Sequence, residues 1–525
     1  MEWTAEATEY FKKVPPFVRP MAKLGIENYA KIHGLFIITP DIIQQAKRGL
    51  GHKKKSKPKN RMNVGKFNRQ TAKMNDSMGD FFAREDVDPL KYAFEEKAAV
   101  HAGMTGEHLE SEQVLPAWYQ LAAQKDTSRR RTVYLHIPFC RSRCRFCGFY
   151  MYRAEEEETA RYTRAIIKEI KTGADRVALQ SHPIHAVYFG GGTPSALSAG
   201  HLEQILTTLR THLPLANDCE ITVEGRVEDF SEDKIKACVA GGANRFSIGI
   251  QSFNTDVRQT MGRVADRGQV LKFLDTLCSQ DQAAVIIDLI YGFPGQSMEI
   301  WQNDVQTFIN ETDVDGADLY QLNIFQGGPL FKAIEKGKIA PAADIATQAE
   351  MFAEGREICM EGRLRRLSVA HWARNLRERN RYNTFTRFGS LCVPFGCGAG
   401  GRLPGHYFFQ EGSLKKYYEL VDQNIKPVTT GMVLPENTDL FRELVGNMEN
   451  LSVNLTALGK KFDLDLPGIF APILGQWEKT GLVKLSDSGW LEFTVAGEFW
   501  NVTLAQKMLE YFTKTQGNKQ TSEGR

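Results

Sequence analysis

Cys140-Arg-Ser-Arg-Cys144-Arg-Phe-Cys147 places three thiols within eight residues, spaced C-x3-C-x2-C. Three thiolates on one short loop can hold three irons of a [4Fe–4S] cube and leave the fourth iron open to a substrate. A closed structural zinc site needs four ligands, commonly as two C-x2-C pairs, and this spacing does not supply them. Arg141, Arg143 and Arg145, interleaved with the thiols, offset cluster charge. The other six cysteines (Cys219, Cys238, Cys278, Cys359, Cys392 and Cys397) show no cluster spacing and read as small apolar residues or ordinary thiols.

Further polar residues sit at or near the ends of short apolar runs. Gly190-Gly191-Gly192-Thr193-Pro194 follows AVYF, and glycines there let backbone approach a ligand closely. Glu224 closes EITVE, with a carboxylate placed to accept hydrogen bonds from a ribose. Gln251 follows RFSIGI and Arg263 lies twelve residues on. Asp288 sits inside VIIDLIYG, a segment too apolar to take a carboxylate casually.

The elements that must carry these residues are six apolar runs: 133–137, 186–189, 220–224, 245–250, 285–292 and 318–324. Helical spacing lies between them, as in Tyr162-Ile166-Ile167-Ile170. Apolar strands alternating with helices predict an α/β fold with a parallel sheet and right-handed crossovers, here a partial (β/α)6 barrel with its chemistry at the C-terminal strand ends. Around it the reading is a small helical domain over 1–50, a basic linker and irregular lead-in over 51–128 with a helix near 88–101, and the barrel over 129–375. A Gly/Arg-rich connection over 376–435 follows, then a winged-helix-like α+β domain over 436–515 with a hairpin turn near 487–489, and a disordered tail over 516–525.

Composition excludes several classes. The 525 residues carry 66 Lys+Arg against 63 Asp+Glu, a net +3 that gives no global field for gripping nucleic acid. No run reaches the roughly 18 apolar residues of a membrane span. The acidic start MEWTAEATEYFKK is unlike a secretory signal, so reduced thiols in an anaerobic cytoplasm are expected.

These motifs carry a resemblance. The cysteine loop after the first strand resembles the radical S-adenosylmethionine (SAM) superfamily, whose open iron chelates SAM. YLHIPFC, CRFCGF, FGGGTPS, FSIGIQSFN and DLIYGFPGQ resemble its oxygen-independent coproporphyrinogen dehydrogenase branch over about residues 130–515. The resemblance implies that Tyr134, Gly191 and Glu224 bind the cluster-chelated SAM. It implies a second SAM site lined by Phe146, Gly192, Thr193, Gln251, Arg263 and Asp288, hence two SAM molecules.

Three members of the branch compete. The dehydrogenases carry another Cys where this chain has Phe149, and the haem chaperones carry a His-Asn-x-x-Tyr-Trp stretch where this chain reads RERNRYNTFTRFGS (377–390). CRFCGFY, RERNRYN and GCGAGGR look most like the haem-utilisation radical SAM methyltransferases. That family implies anaerobic opening of haem, or a related porphyrin, to a methylated linear tetrapyrrole with iron release, and an electron donor such as flavodoxin or a nicotinamide-linked reductase. The segment over 3–41 resembles the C-terminal domain of the protochlorophyllide reductase B subunit. Propionates of a macrocycle would need cations, for which the Arg-rich 363–381 stretch is the expectation, and His371 and His406 are candidate axial ligands.

Overall fold

The computed structural model describes residues 2–11, 23, 26, 37–40, 42–43, 78–98, 106–126 and 128–522. It divides into two compact units, 1–78 and 79–525. In the first, helix Ala5–Phe11 and the parallel two-residue strands Glu2–Trp3 and Ile37–Ile38 enclose Ala7, Phe11, Ile26, Ile38 and Ile43. Thr39 caps the turn after them, accepting from the Ile42 amide at 3.4 Å. Much of the helical domain expected over 1–50 and the basic linker after it fall outside the described residues.

In the second unit the six expected strands are present. They are β1 (Arg131–Ile137), β2 (Ile184–Gly191), β3 (Leu215–Gly225), β4 (Arg245–Gln251), β5 (Ala284–Tyr291) and β6 (Gly316–Gln321). Each pairs in parallel with the next in chain order. Amphipathic helices such as Glu156–Gly173 and Ala199–His212 cover the outside, burying Ile166, Ile170, Ile205 and Leu209.

The sheet is wider than six strands. On the β6 side a short antiparallel strand, β7 (His371–Ala373), is added. On the β1 side β8 (Leu391–Phe395) joins in parallel. The antiparallel β9 (Gly400–Leu403), β10 (His406–Gln410) and β11 (Val428–Val433) follow. Residues 376–435 thus contribute four strands to the main sheet, along with the helices Arg381–Arg387 and Leu414–Asp422. Only glycine fits at Gly401 in this strand: an added Cβ would lie 2.3 Å from Pro394 Cδ and 2.5 Å from Cys392 O.

The lead-in also differs from expectation. Among the described residues 88–98 the helix spans Pro89–Tyr92, while a twelve-residue helix forms at Ser111–Ala122. The lead-in is clasped by the C-terminal region, where Trp477 Nε1 donates to Phe81 O at 2.9 Å and Trp500 Nε1 to Pro89 O at 3.0 Å. There the hairpin Val483–Leu485 with Trp490–Phe493 forms, joined by Ser452–Asn454 into a three-stranded sheet. The last helix runs Asn501–Ser522, through most of the segment expected to be a disordered tail.

Candidate functional site

Period-2 alternation decides what lines the barrel. On β1, Val133, Leu135 and Ile137 are fully buried against the helices, which turns Tyr134 and His136 to the lumen. Across β2 and β3 the same face carries Tyr188, Thr222 and Glu224 by register. Tyr188 Oη donates to Glu224 Oε1 at 2.7 Å, and the rings of Tyr134 and Tyr188 stack at 6.4 Å. Burial raises the Glu224 carboxyl pKa, against the Tyr188 and Gly191 hydrogen bonds that lower it.

The cysteine loop leaves β1 through the two-residue strand Phe139–Cys140, paired with Tyr152–Arg153. Later segments hold it in place. Arg145 N donates to Met261 O at 3.0 Å, Leu330 N donates to Arg145 O at 2.9 Å, and Arg226 grips Ser142 O at 2.9 Å and Ser142 Oγ at 3.1 Å. Thr193 Oγ1 donates to Cys140 Sγ at 3.3 Å, and Phe149 N to Cys147 Sγ at 3.3 Å. Burial raises the thiol pKa values of Cys140 and Cys147; Cys140 also feels Cys147 and Cys144, and Cys147 feels Cys144. Among the described residues no three His, Cys, Asp or Glu side chains converge as ligands of a single ion. In a cube each thiolate takes a separate iron, and three neighbouring sulfurs on a pinned loop, two of them already receiving hydrogen bonds, suit that group.

The glycines are required by what they touch. At Gly191, φ is +109° and a Cβ would lie 2.6 Å from the His136 ring. At Gly192 it would meet Phe139 O at 2.6 Å. Gly192 N and Thr193 N donate to Ile137 O and Phe139 O at 2.8 and 2.7 Å, tying this turn to the root of the cysteine loop.

Beyond it lies a second group. Gln251 holds φ +75°, a conformation rare outside glycine and one that clusters at functional sites. Its Oε1, together with Arg263 Nε and Nη1, is buried without a hydrogen-bond partner among the described residues. A Cβ at Gly249 would lie 2.5 Å from Gln251 Nε2 and 3.2 Å from Arg263 Nη2. Arg263 lies over the Phe146 ring at 5.9 Å, and Phe146 meets Phe293 at 5.4 Å. Asp288 is in register with Gly249 on one side and Asp318 on the other. Burial, then the Asp318 carboxylate, raises its pKa to about 7. Buried amide and guanidinium groups normally find partners, so this constellation fits a polar ligand.

Two sequence expectations end elsewhere. Five of the 363–381 arginines have protein partners, whether half-buried or at the surface. Arg365 donates to Glu378 O, Arg366 pairs with Glu498, Arg374 donates to Phe308 O, Arg377 pairs with Asp281 and Arg381 with Asp218. Arg363 and Arg379 are exposed. His371 is fully buried, with Nδ1 2.8 Å from Asp318 Oδ1 and Nε2 3.0 Å from Glu378 Oε1, so both nitrogens face carboxylates rather than the lumen. His406 contacts Pro404 O through Nδ1 at 3.0 Å.

Sequence reasoning missed an aromatic wall in the lumen. Tyr382, on the short helix Arg381–Arg387, packs 4.7 Å from Tyr188 and 6.4 Å from Tyr134. Tyr407 joins from β10. All four rings keep partial exposure deep inside the sheet, so the lumen is open there. Alternation along the first two barrel strands signals Tyr134 and Tyr188; Tyr382, on a helix, and Tyr407, in HYFFQ, carry no such signal.

Residues 134–308 match the sequence profile of the Radical SAM superfamily, and residues 3–47 match that of the proto-chlorophyllide reductase 57 kD subunit. The chain is 42% identical over 400 residues to anaerobilin synthase of Escherichia coli O157:H7, covering 76% of this chain and 88% of that protein. It is 24% identical over 366 residues to heme chaperone HemW of Bacillus subtilis, covering 68% and 94%. The coproporphyrinogen III oxidase HemN of Escherichia coli, described as a radical SAM enzyme, superposes with a TM-score of 0.66 at 21% identity. That match covers 77% of this chain and 96% of that structure, and it speaks to the fold.

Proposed function

This chain belongs to the radical SAM superfamily, and from that premise we propose that it opens the haem ring anaerobically, giving a methylated linear tetrapyrrole and releasing iron. The observation that carries the reading is its likeness to anaerobilin synthase over most of that protein's length. The site supports the finer detail of two SAM molecules.

In this reading Cys140, Cys144 and Cys147 hold the [4Fe–4S] cluster. Tyr134, Gly191 and Glu224 seat the SAM bound to it, and Phe146, Gly192, Thr193, Gln251, Arg263 and Asp288 seat the second. Bound there, cluster and SAM supply one-electron sulfonium cleavage, the resulting radical, and the carbon to be transferred.

The chain's own residues position and protect. Thr193 and the Phe149 amide direct hydrogen bonds at two of the sulfurs, which favours their ionised form. Arg226 fixes the loop through Ser142 and adds positive charge near Cys144. Arg263 presents two unused donors to a carboxylate and Gln251 an unused acceptor to an ammonium or amine. Phe146 against Phe293 shields that end from water, which a reactive carbon radical requires. Asp288, with its pKa near 7, holds or yields a proton at its carboxyl oxygen at working pH.

The test is anaerobic turnover of reconstituted protein with haem, SAM and a low-potential donor such as reduced flavodoxin or a nicotinamide-linked reductase. The expected products are 5′-deoxyadenosine, S-adenosylhomocysteine and a ring-opened tetrapyrrole carrying a SAM-derived carbon. Haem binding without SAM consumption would assign a carrier instead, and decarboxylation of coproporphyrinogen would assign the dehydrogenase.

A further inference from the structure

Arg402 is 3% exposed, yet its Nε and Nη1 have no hydrogen-bond partner among the described residues; only Nη2 is engaged, on Asp439 Oδ1. Arg129 donates through Nη2 to Asp439 Oδ2 at 3.0 Å, and its Nη1 is likewise buried and unpartnered among the described residues. Arg442 stands close enough that its charge disfavours that of Arg402. Three guanidiniums thus gather around one carboxylate. Burial and the neighbouring cations lower the Arg402 pKa to about 10. Buried donors of this kind are costly unless something accepts from them, and paired guanidinium donors match a carboxylate or phosphate.

The placement says which anion. Arg402 on β9 is in register with Cys392 on β8 and with Tyr407 on β10. Cys392 in turn is in register with Thr132 at the start of β1. Arg402 therefore belongs to the same sheet face as the tyrosine wall. It sits four residues down β1 from the level of His136, roughly 13 Å at about 3.3 Å per residue. Tyr382 Oη reaches Cys392 Sγ at 3.7 Å, so the wall continues down to this level.

We propose that Arg402, with Arg129 and Arg442, binds a carboxylate of the tetrapyrrole, while the macrocycle lies along Tyr134, Tyr188, Tyr382 and Tyr407 with its far edge at the cysteine-loop rim. This rests on the haem reading above and adds where that substrate sits. It also supplies the cation that the 363–381 arginines, five held by their own partners and two exposed, do not.

The experiment is anaerobic titration of the full chain with haem and with haem dimethyl ester, followed by Soret absorbance, in wild type and Arg402→Gln. Inorganic phosphate is a parallel probe by thermal shift. Esterification and Arg402→Gln should each weaken binding about tenfold or more, the scale of a lost charge-assisted hydrogen bond. Arg402→Gln should shrink the effect of esterification, leaving only what Arg129 and Arg442 contribute. Equal binding of haem and its ester by wild type overturns the proposal, and needs no variant to fold. A phosphate-dependent rise in melting temperature that Arg402→Gln abolishes, with ester binding unimpaired, reassigns the cluster to a free oxyanion and also overturns it. Turnover of haem with no ester effect leaves the ring-opening function standing without this site. No Soret response in wild type removes both.

Discussion

Replacing Glu378 by Gln should destabilise the protein by about 3 kcal/mol and change how stability depends on pH. Glu378 is fully buried and accepts from Arg245 Nε at 3.0 Å and Nη2 at 3.1 Å, with His371 Nε2 3.0 Å away. Arg245 is 3% exposed and His371 fully buried. Breaking a buried pair by removing one partner costs about 3–5 kcal/mol. The lower end applies because His371 can shed its proton when Glu378 is gone. Burial alone would lower the His371 pKa, but the Asp318 and Glu378 carboxylates outweigh it and raise it from 6.5 to about 9. Below pH 6.5 the imidazole is charged in folded and unfolded chains alike, and its full stabilisation is present. That stabilisation, about 3 kcal/mol, is lost as pH rises from 6.5 through 9. Burial raises the Glu378 pKa less than Arg245 and His371 lower it, to about 2, so its own contribution disappears only in strong acid. Urea unfolding of the ligand-free protein at pH 6 and pH 9 measures these effects for wild type, Glu378→Gln and His371→Gln. A Glu378→Gln loss below about 1 kcal/mol would refute the reasoning, as would a His371→Gln protein that loses as much stability between the two pH values as wild type.

Two further outcomes follow from the site. The Asp288 pKa, raised from 3.8 to about 7, means that stability present at acid pH is lost as pH rises through 7. Asp288→Asn should therefore stabilise the ligand-free protein at pH 8 by about 1–3 kcal/mol while weakening SAM binding, measured by urea unfolding and calorimetric titration. Gly192→Ala places a Cβ 2.6 Å from Phe139 O and 2.9 Å from Ile137 O, both backbone. It should lower the melting temperature and reduce iron retained after anaerobic reconstitution; an unchanged iron content would show that the turn does not support the cysteine loop.

The six barrel strands and the cysteine loop were legible because they depend on local pattern: apolar runs of strand length and a fixed thiol spacing. The strands beyond β1 were hidden because Pro394, Gly400 and Gly401 argue against strand in isolation. Their pairing depends on partners far along the chain, as Leu391 with Arg131 shows. The 363–381 arginines were misjudged because a sequence counts cations without showing which carboxylates they meet, as Arg381 meets Asp218. Tyr382 and Tyr407 come from a helix and a late strand, and only the folded sheet sets them beside Tyr134.

Arg145, in the middle of the cysteine loop, is fastened through its backbone to Met261 and Leu330. Both anchors are translated more than a hundred residues later. While the ribosome is still making the second half of the barrel, the three thiols cannot hold their final arrangement. The loop gains its full set of backbone anchors only once the chain has been made through Leu330, just past the sixth strand, so the barrel closes around the cysteines rather than the cysteines seeding the barrel.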